Sequence, residues 1–175
     1  MVHDAVRAQI GTVNREMDVL DLGCGTGLCA ALFRPFAHNL SGIDLSERMV
    51  DVARKLNLYD QLIVGDISIV LEGRNEIHDL IIAADVFVYV GELRRVIELC
   101  SAALKKKGLF AFTVEASSDE KKDFVLEPSG RYSHSRRYLR TLALSFGLQV
   151  LSIQNAVLRM ERGNPVNGYV VVMRR

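Results

Sequence analysis

A strand, a glycine-rich turn and a helix follow one another near the start of the chain, and this order most constrains the possible fold. The apolar run Met17–Leu22 predicts a strand, and the compact apolar pattern over residues 28–33 predicts a helix. Between them, glycine stands at alternate positions: Gly23, Gly25 and Gly27. Glycine adopts positive φ readily and lets the backbone approach a ligand closely. The order therefore predicts the first unit of a doubly wound α/β domain, with a ligand on the turn.

The spacing of the glycines bears on which ligand the turn binds. A dinucleotide fingerprint places its third glycine at position 28, where this chain has Leu28. A second strand-like run, residues 40–43, ends at Asp44, nineteen residues after Gly25. A carboxylate at that place can accept hydrogen bonds from both ribose hydroxyls of a nucleoside. Together these features favour a nucleoside ligand over the dinucleotide of an oxidoreductase.

The alternating pattern Asp21, Gly23, Gly25 and Gly27 resembles the first motif of class I S-adenosylmethionine-dependent methyltransferases. The resemblance begins at about residue 17 and implies S-adenosylmethionine as the cofactor. It also implies an α/β, Rossmann-like, doubly wound and mostly parallel seven-stranded sheet with a C-terminal antiparallel hairpin. Residues 110–115 and 128–135 resemble more narrowly a bacterial group of predicted methyltransferases often fused to tetratricopeptide repeats, although this sequence contains no repeats.

The resemblance also implies which residues bind the cofactor. Asp66, just after the third predicted strand, resembles the family residue that accepts a hydrogen bond from the adenine amino group; it can equally cap the next helical turn. Leu45 and Met49 follow Asp44 and either touch the adenine face or belong to the core. The predicted cofactor-binding residues are Asp21, Gly23, Cys24, Gly25, Gly27, Asp44, Leu45, Met49, Asp66, Ile67, Ala84 and Asp85.

Hydrophobic periodicity predicts the other elements of one domain, residues 1–175. The lysines at positions 105–107 and the following Gly108 suit the end of a helix, because cations favour the negative end of the helix dipole and glycine often follows a helix. The predicted helices are residues 1–15, 46–56, 91–105 and 135–146, and the later strands are residues 62–64, 78–85, 109–114, 149–157 and 168–173.

The part of the site that binds the methyl acceptor is predicted from residues 117–133, the longest irregular connection in the chain. This segment follows the fifth strand at the ligand edge and is expected to be an active-site loop. Basic and aromatic residues cluster where it ends, and Arg131 is the predicted bidentate clamp for a small acceptor that carries a carboxylate or phosphate. The candidate catalytic residues are His134, Tyr132 and Asp85, and the candidate substrate-binding residues are Arg131, Tyr89 and Glu115.

Composition limits the functional classes. The net charge of +1 predicts neither nucleic acid nor a membrane surface as a partner. The three cysteines form no CxxC pair, which predicts reduced thiols in a cytoplasmic protein and no metal site. The sequence therefore predicts a metal-independent methyltransferase acting on a small, anionic acceptor, with a non-catalytic S-adenosylmethionine-binding regulatory module as the alternative.

Overall fold

The structure is a computed structural model that describes residues 1–10 and 16–175. Helices and strands alternate along most of the chain, as expected for a doubly wound fold. The helices are α1 (Val2–Ile10), α2 (Ala30–Phe33), α3 (Glu47–Arg54), α4 (Ile67–Leu71), α5 (Arg94–Ala103) and α6 (Arg136–Ser145), with short 3-10 helices at Arg34–Phe36 and Phe87–Tyr89. The strands are β1 (Met17–Leu22), β2 (Ala37–Asp44), β3 (Gln61–Val64), β4 (His78–Ala83), β5 (Leu104–Ala116), β6 (Phe124–Leu126), β7 (Tyr132–His134), β8 (Gln149–Glu161) and β9 (Asn164–Arg174). The prediction of a first helix over residues 1–15 extends to residues 11–15, which lie outside the described part of the chain.

The main sheet confirms the predicted topology. Strands β3, β2, β1, β4 and β5 run parallel in that order, and β9 continues the sheet antiparallel to β5. Strand β8 pairs antiparallel with β9 and completes the C-terminal hairpin. The order reverses between β1 and β4, so the carboxyl ends of these two strands mark the point where ligands bind in open α/β sheets.

A small hairpin, β6–β7, extends the sheet beyond the seven predicted strands. It occupies part of the segment that was expected to be irregular, residues 117–133. Glu115 of β5 pairs with Ser133 of β7 and also with Gly168 of β9, so β7 and β9 lie on opposite sides of β5. The last β4–β5 pair is Ala83 with Phe112. The β6–β7 hairpin therefore sits past the carboxyl end of β4, at the ligand edge.

The prediction that a lysine run ends the helix over residues 91–105 is wrong. Helix α5 ends at Ala103, and β5 begins at the next residue because Leu104 pairs with His78. The Lys105 ammonium donates to Asp18 Oδ2 at 2.7 Å and to Asp79 Oδ2 at 2.8 Å. Its hydrogen bond holds the pKa of Asp18 below the usual range. Lys105 thus neutralises carboxylates at the amino edge of the sheet, opposite the ligand edge.

The sheet is buried on both faces, as its continuous apolar strands predict. Alternate residues of each strand belong to different cores: Leu20 and Ile81 to one face, Val19 and Leu80 to the other. Helix α1 covers the second face, where Val6 is buried. Among the described residues, no helix is both long and apolar enough to cross a membrane.

Candidate functional site

The turn after β1 has the backbone shape that glycine allows. Gly23, Gly25 and Gly27 have φ values of 62°, 54° and 86°, all in the left-handed region. A Cβ atom on Gly23 would overlap Val86 Cγ2, and one on Gly27 would lie 2.7 Å from Leu56 Cδ1. A Cβ atom on Gly25 would meet nothing closer than the Gly23 carbonyl oxygen, at 4.0 Å. Packing therefore requires the outer glycines, whereas Gly25 borders open space that a ligand can fill.

Backbone donors on two sides hold the Asp44 carboxylate beside this turn. The Gly25 N–H donates to Asp44 Oδ2 and the Ser46 N–H donates to Asp44 Oδ1, each at 2.8 Å. The Cys24 N–H, in turn, donates to the Ile43 carbonyl at 2.9 Å and ties the turn to β2. A carboxylate has about four acceptor positions, so Asp44 can still accept bonds from ribose hydroxyls. The arrangement fits the nucleoside end of S-adenosylmethionine.

The predicted adenine contacts lie at the starts of two helices. Asp66 caps α4, because its Oδ1 accepts from the N–H groups of Ser68 at 2.7 Å and Ile69 at 3.4 Å, and Ile67 is the first residue of that helix. Leu45 is 74% exposed and Met49 is 45% exposed. Their exposure removes the alternative that they are core residues and leaves both side chains able to cover an adenine ring.

Asp21 lies beneath the turn rather than on its surface. Its side chain is buried, and the Tyr59 hydroxyl donates to Asp21 Oδ2 at 2.7 Å. Burial is the main cause that raises the pKa of Asp21 to about 7; the Tyr59 hydrogen bond opposes this rise, and the Asp44 charge adds to it. Burial likewise raises the pKa of the Cys24 thiol to about 12, so that thiol is neutral at physiological pH. Asp21 and Cys24 thus support the turn from inside.

On the acceptor side, Asp85 has a strained backbone and a charged partner. Its φ is 59°, and its N–H donates to Thr113 Oγ1 at 2.8 Å. Arg159 Nη1 donates to Asp85 Oδ1 at 2.8 Å, and Arg159 also pairs with Glu115. The sequence analysis missed Arg159. An isolated arginine in the apolar strand around residues 156–160 was the available signal, but its partners are 74 and 44 residues away.

The residues predicted at the loop end take different positions. His134 is fully buried, and its Nε2 lies 3.0 Å from the Gly91 carbonyl oxygen while its ring stacks on Tyr138. Burial lowers the pKa of His134. Tyr132 packs edge-on against Phe124, with ring centroids 6.0 Å apart. An imidazole packed in this way is out of reach of an acceptor, so the geometry argues against His134 as the base.

Arg131 and Tyr89 lie nearer the surface than His134. Arg131 Nη1 is 2.7 Å from Glu161 Oε2, and interaction with the Tyr89 side chain raises the pKa of Arg131. Tyr89 is exposed. Arg159 lies 3.8 Å from the same Glu161 carboxylate. Both arginines therefore already pair with carboxylates of the protein, which reduces the positive charge available to an anionic acceptor.

A cavity of about 210 Å³ opens beside Asp85, between α1, α2 and the carboxyl ends of β4 and β5. Most of its described lining residues are apolar, and Asp85 is the one carboxylate among them. Its lining residues are Met1, Val2, His3, Cys29, Leu32, Phe33, Ala84, Asp85, Thr113 and Leu158. A wider cleft of about 420 Å³ lies at the amino edge of the sheet, around Asp18 and His78, away from the glycine turn.

Known proteins resemble this chain in sequence and fold. The methyltransferase domain family matches residues 20–112. A demethylmenaquinone methyltransferase of Thermotoga maritima is 34% identical over 150 residues, which cover 77% of this chain and 65% of that protein. A malonyl-acyl-carrier-protein O-methyltransferase of Priestia megaterium is 30% identical over 145 residues, which cover 79% of this chain and 50% of that protein. The chain thus spans between half and two thirds of the length of these curated relatives.

Solved structures agree with the fold described above. An S-adenosylmethionine-dependent methyltransferase of Methanosarcina mazei matches with a TM-score of 0.76 at 16% identity, covering 96% of each chain. Identity this low shows the shared fold and leaves the acceptor open. The family match spans the glycine turn, Asp44 and the exit of β4, which contain the residues predicted to bind the cofactor. The chain belongs to the methyltransferase domain family.

Proposed function

We propose that this chain is an S-adenosylmethionine-dependent methyltransferase that acts on a small molecule. The apolar end of that molecule enters the cavity beside Asp85, and its reacting position carries a hydroxyl group. The cavity carries the proposal. Its volume, about 210 Å³, and its wall, with Leu32, Phe33 and Leu158, suit a ring or a short apolar chain. The Asp85 carboxylate, which lines the cavity, can accept the proton of a hydroxyl group as that oxygen is methylated.

The charges at this edge favour a neutral acceptor over the anionic one expected from the sequence. Arg131 pairs with Glu161, and Arg159 pairs with Asp85 and Glu115. These two guanidiniums face three carboxylates, so an anionic acceptor would have to displace one of them. The names of the relatives cover both classes, since demethylmenaquinone is largely apolar whereas a malonyl group carries a carboxylate. The Arg131 clamp and the narrower resemblance to repeat-fused methyltransferases stay predictions.

Each residue has a defined task in this proposal. When bound, the cofactor supplies an electrophilic methyl group on a positively charged sulfur atom. Asp44 would hold the ribose, and the open space beside Gly25 would receive the methionine part of the cofactor. The apolar cavity aligns the acceptor and excludes water. Asp85, held through Oδ1 by Arg159, accepts the acceptor's proton on Oδ2.

Methyl transfer to a panel of acceptors tests the proposal. We expect small hydroquinones and phenols to release S-adenosylhomocysteine faster than short-chain carboxylates of similar size. Asp85→Asn should lower kcat about 10²- to 10⁴-fold with these acceptors, as loss of a general base does. Asp51→Asn, which alters an exposed carboxylate paired with Arg54, is the matched control and should leave kcat unchanged.

A preference for carboxylates would contradict the neutral acceptor. In that case Arg131→Ala should raise the KM of the carboxylate acceptor while the cofactor affinity stays constant, which would restore the Arg131 clamp. In our proposal Arg131→Ala leaves the KM of a phenol within about twofold of wild type, because Arg131 pairs with Glu161 and a neutral acceptor offers it no charge.

A further inference from the structure

Tyr59, between α3 and β3, packs beneath the glycine turn. A Cβ atom on Gly27 would lie 3.2 Å from Tyr59 Cε2, and a Cβ atom on Gly42 would lie 3.0 Å from Tyr59 Cε1. Both distances are tighter than ordinary van der Waals contact, so the two glycines leave the space that the tyrosine ring fills. Gly27 belongs to the turn and Gly42 to β2, two residues before Asp44. The ring therefore lies under both halves of the cofactor site.

The hydroxyl of the same tyrosine reaches the last part of β1. It donates to Asp21 Oδ2 at 2.7 Å, and Asp21 pairs with Gly42 in the β1–β2 register. Asp21 is only 2% exposed, so its carboxylate depends on partners inside the protein. Tyr59 thus joins, through one side chain, the strand that leads into the turn and the strand that ends at Asp44.

The hydrogen bond from Tyr59 affects the ionisation of Asp21, because the surroundings of Asp21 otherwise disfavour its charge. The titratable groups that act on Asp21 or respond to it are Tyr59, Asp44, Cys24 and Cys29. Asp44 disfavours the ionised form of Asp21, and the Tyr59 hydroxyl favours it. Burial raises the pKa of Tyr59 far above its ordinary value, so the hydroxyl keeps its proton and remains a donor. The Asp21 charge therefore depends on Tyr59.

We propose that Tyr59 is a positioning residue of the cofactor site: its hydroxyl orients the Asp21 carboxylate, and its ring holds the glycine turn in the shape that receives S-adenosylmethionine. A negative charge beneath the turn favours the cationic methyl donor over S-adenosylhomocysteine, whose sulfur atom is neutral. Tyr59 thereby contributes to the preference for substrate over product. The inference rests on cofactor binding and is independent of which acceptor is methylated.

Calorimetry between pH 6 and pH 9 tests the role of the hydroxyl. For Tyr59→Phe we expect S-adenosylmethionine to bind about tenfold more weakly at pH 7, and S-adenosylhomocysteine at most about threefold more weakly. The affinity for S-adenosylmethionine should then recover as the pH rises, because Asp21 without its donor ionises at a higher pH than in the wild type. A purely structural role would weaken both ligands equally at every pH.

Tyr138→Phe is the matched control. The Tyr138 hydroxyl is also buried, accepting from the Leu93 N–H and donating to Glu92 Oε1, each at 2.9 Å. Its loss should reduce the thermal stability of the ligand-free protein without changing the ratio of the two affinities or their pH dependence. An unchanged ratio and pH dependence in folded Tyr59→Phe would overturn the proposal.

Asp21→Asn keeps the proposal testable if Tyr59→Phe does not fold. The amide oxygen still accepts from Tyr59 but carries no charge, so the affinity ratio should fall as in Tyr59→Phe and no longer vary with pH. A wild-type ratio in Asp21→Asn would reject the inference. Wild-type protein that binds S-adenosylmethionine yet methylates none of the tested acceptors would contradict the proposed function alone.

Discussion

Gly25→Val is expected to lower the affinity for S-adenosylmethionine at least about 100-fold and to leave a folded protein. A Cβ atom at this position meets nothing within the protein closer than 4.0 Å, so the fold accommodates the side chain. The branched side chain would instead fill the open space next to Asp44, where the cofactor is expected to lie. Because φ is 54°, a β-branched residue also adds strain of about 1–3 kcal/mol. Calorimetry gives the affinity, and circular dichroism and thermal unfolding report the fold.

Gly147→Val is the control that separates two effects of Gly25→Val: filling the space expected for the cofactor, and straining the backbone. Gly147 has a φ of 69°, a Cβ atom there would meet nothing within 4 Å, and it lies just after α6. This variant should show a comparable loss of stability but wild-type cofactor affinity. If Gly25→Val also binds with wild-type affinity, the turn is only a connection and the cofactor binds elsewhere.

The glycine turn and the carboxylate at the end of β2 could be predicted from the sequence because their determinants are local. Positive φ at Gly25 and a carboxylate at the end of β2 are each encoded in a few neighbouring residues, and parallel strands bring their carboxyl ends to one edge automatically. The doubly wound seven-stranded sheet and its C-terminal hairpin were implied by the resemblance to class I methyltransferases. Ser46 and Ser135 cap α3 and α6, as short polar residues before an amphipathic run predict.

The side of the site expected to bind the acceptor was harder to predict, because its contacts join residues that lie far apart in the sequence. The strands β6 and β7 have three residues each, too few to show a period, and Arg159 meets Asp85 only after the C-terminal hairpin has folded against β5. His134 follows a polar segment, yet it is buried because β7 turns it between Gly91 and Tyr138. Lys105 was misplaced because a lysine run before glycine suits a helix end as well as a strand that starts with an ion pair.

Asp44→Ala is expected to weaken S-adenosylmethionine binding by about 1.5–3 kcal/mol, or about 10- to 150-fold. The variant removes the acceptor of the ribose hydroxyls and leaves the Gly25 N–H without its 2.8 Å partner, which loosens the turn as well. Asp44→Asn should lose less affinity for S-adenosylmethionine, since its amide oxygen can still accept one hydrogen bond from the turn. Calorimetry on the three proteins should show that the affinity for S-adenosylmethionine decreases from wild type to Asp44→Asn to Asp44→Ala.

Asp60→Ala is the control that separates this effect from a general loss of stability. Asp60 likewise accepts from a backbone N–H, that of Leu40 at 2.7 Å, and pairs with Arg34, but it lies towards the amino end of β3. Its loss should lower the unfolding temperature while the cofactor affinity stays within about twofold of wild type. Equal weakening by Asp60→Ala and Asp44→Ala would mean that Asp44 acts only through the fold. Tighter binding of NAD than of S-adenosylhomocysteine to the wild type would contradict the nucleoside assignment itself, because Asp44 would then hold a dinucleotide ribose.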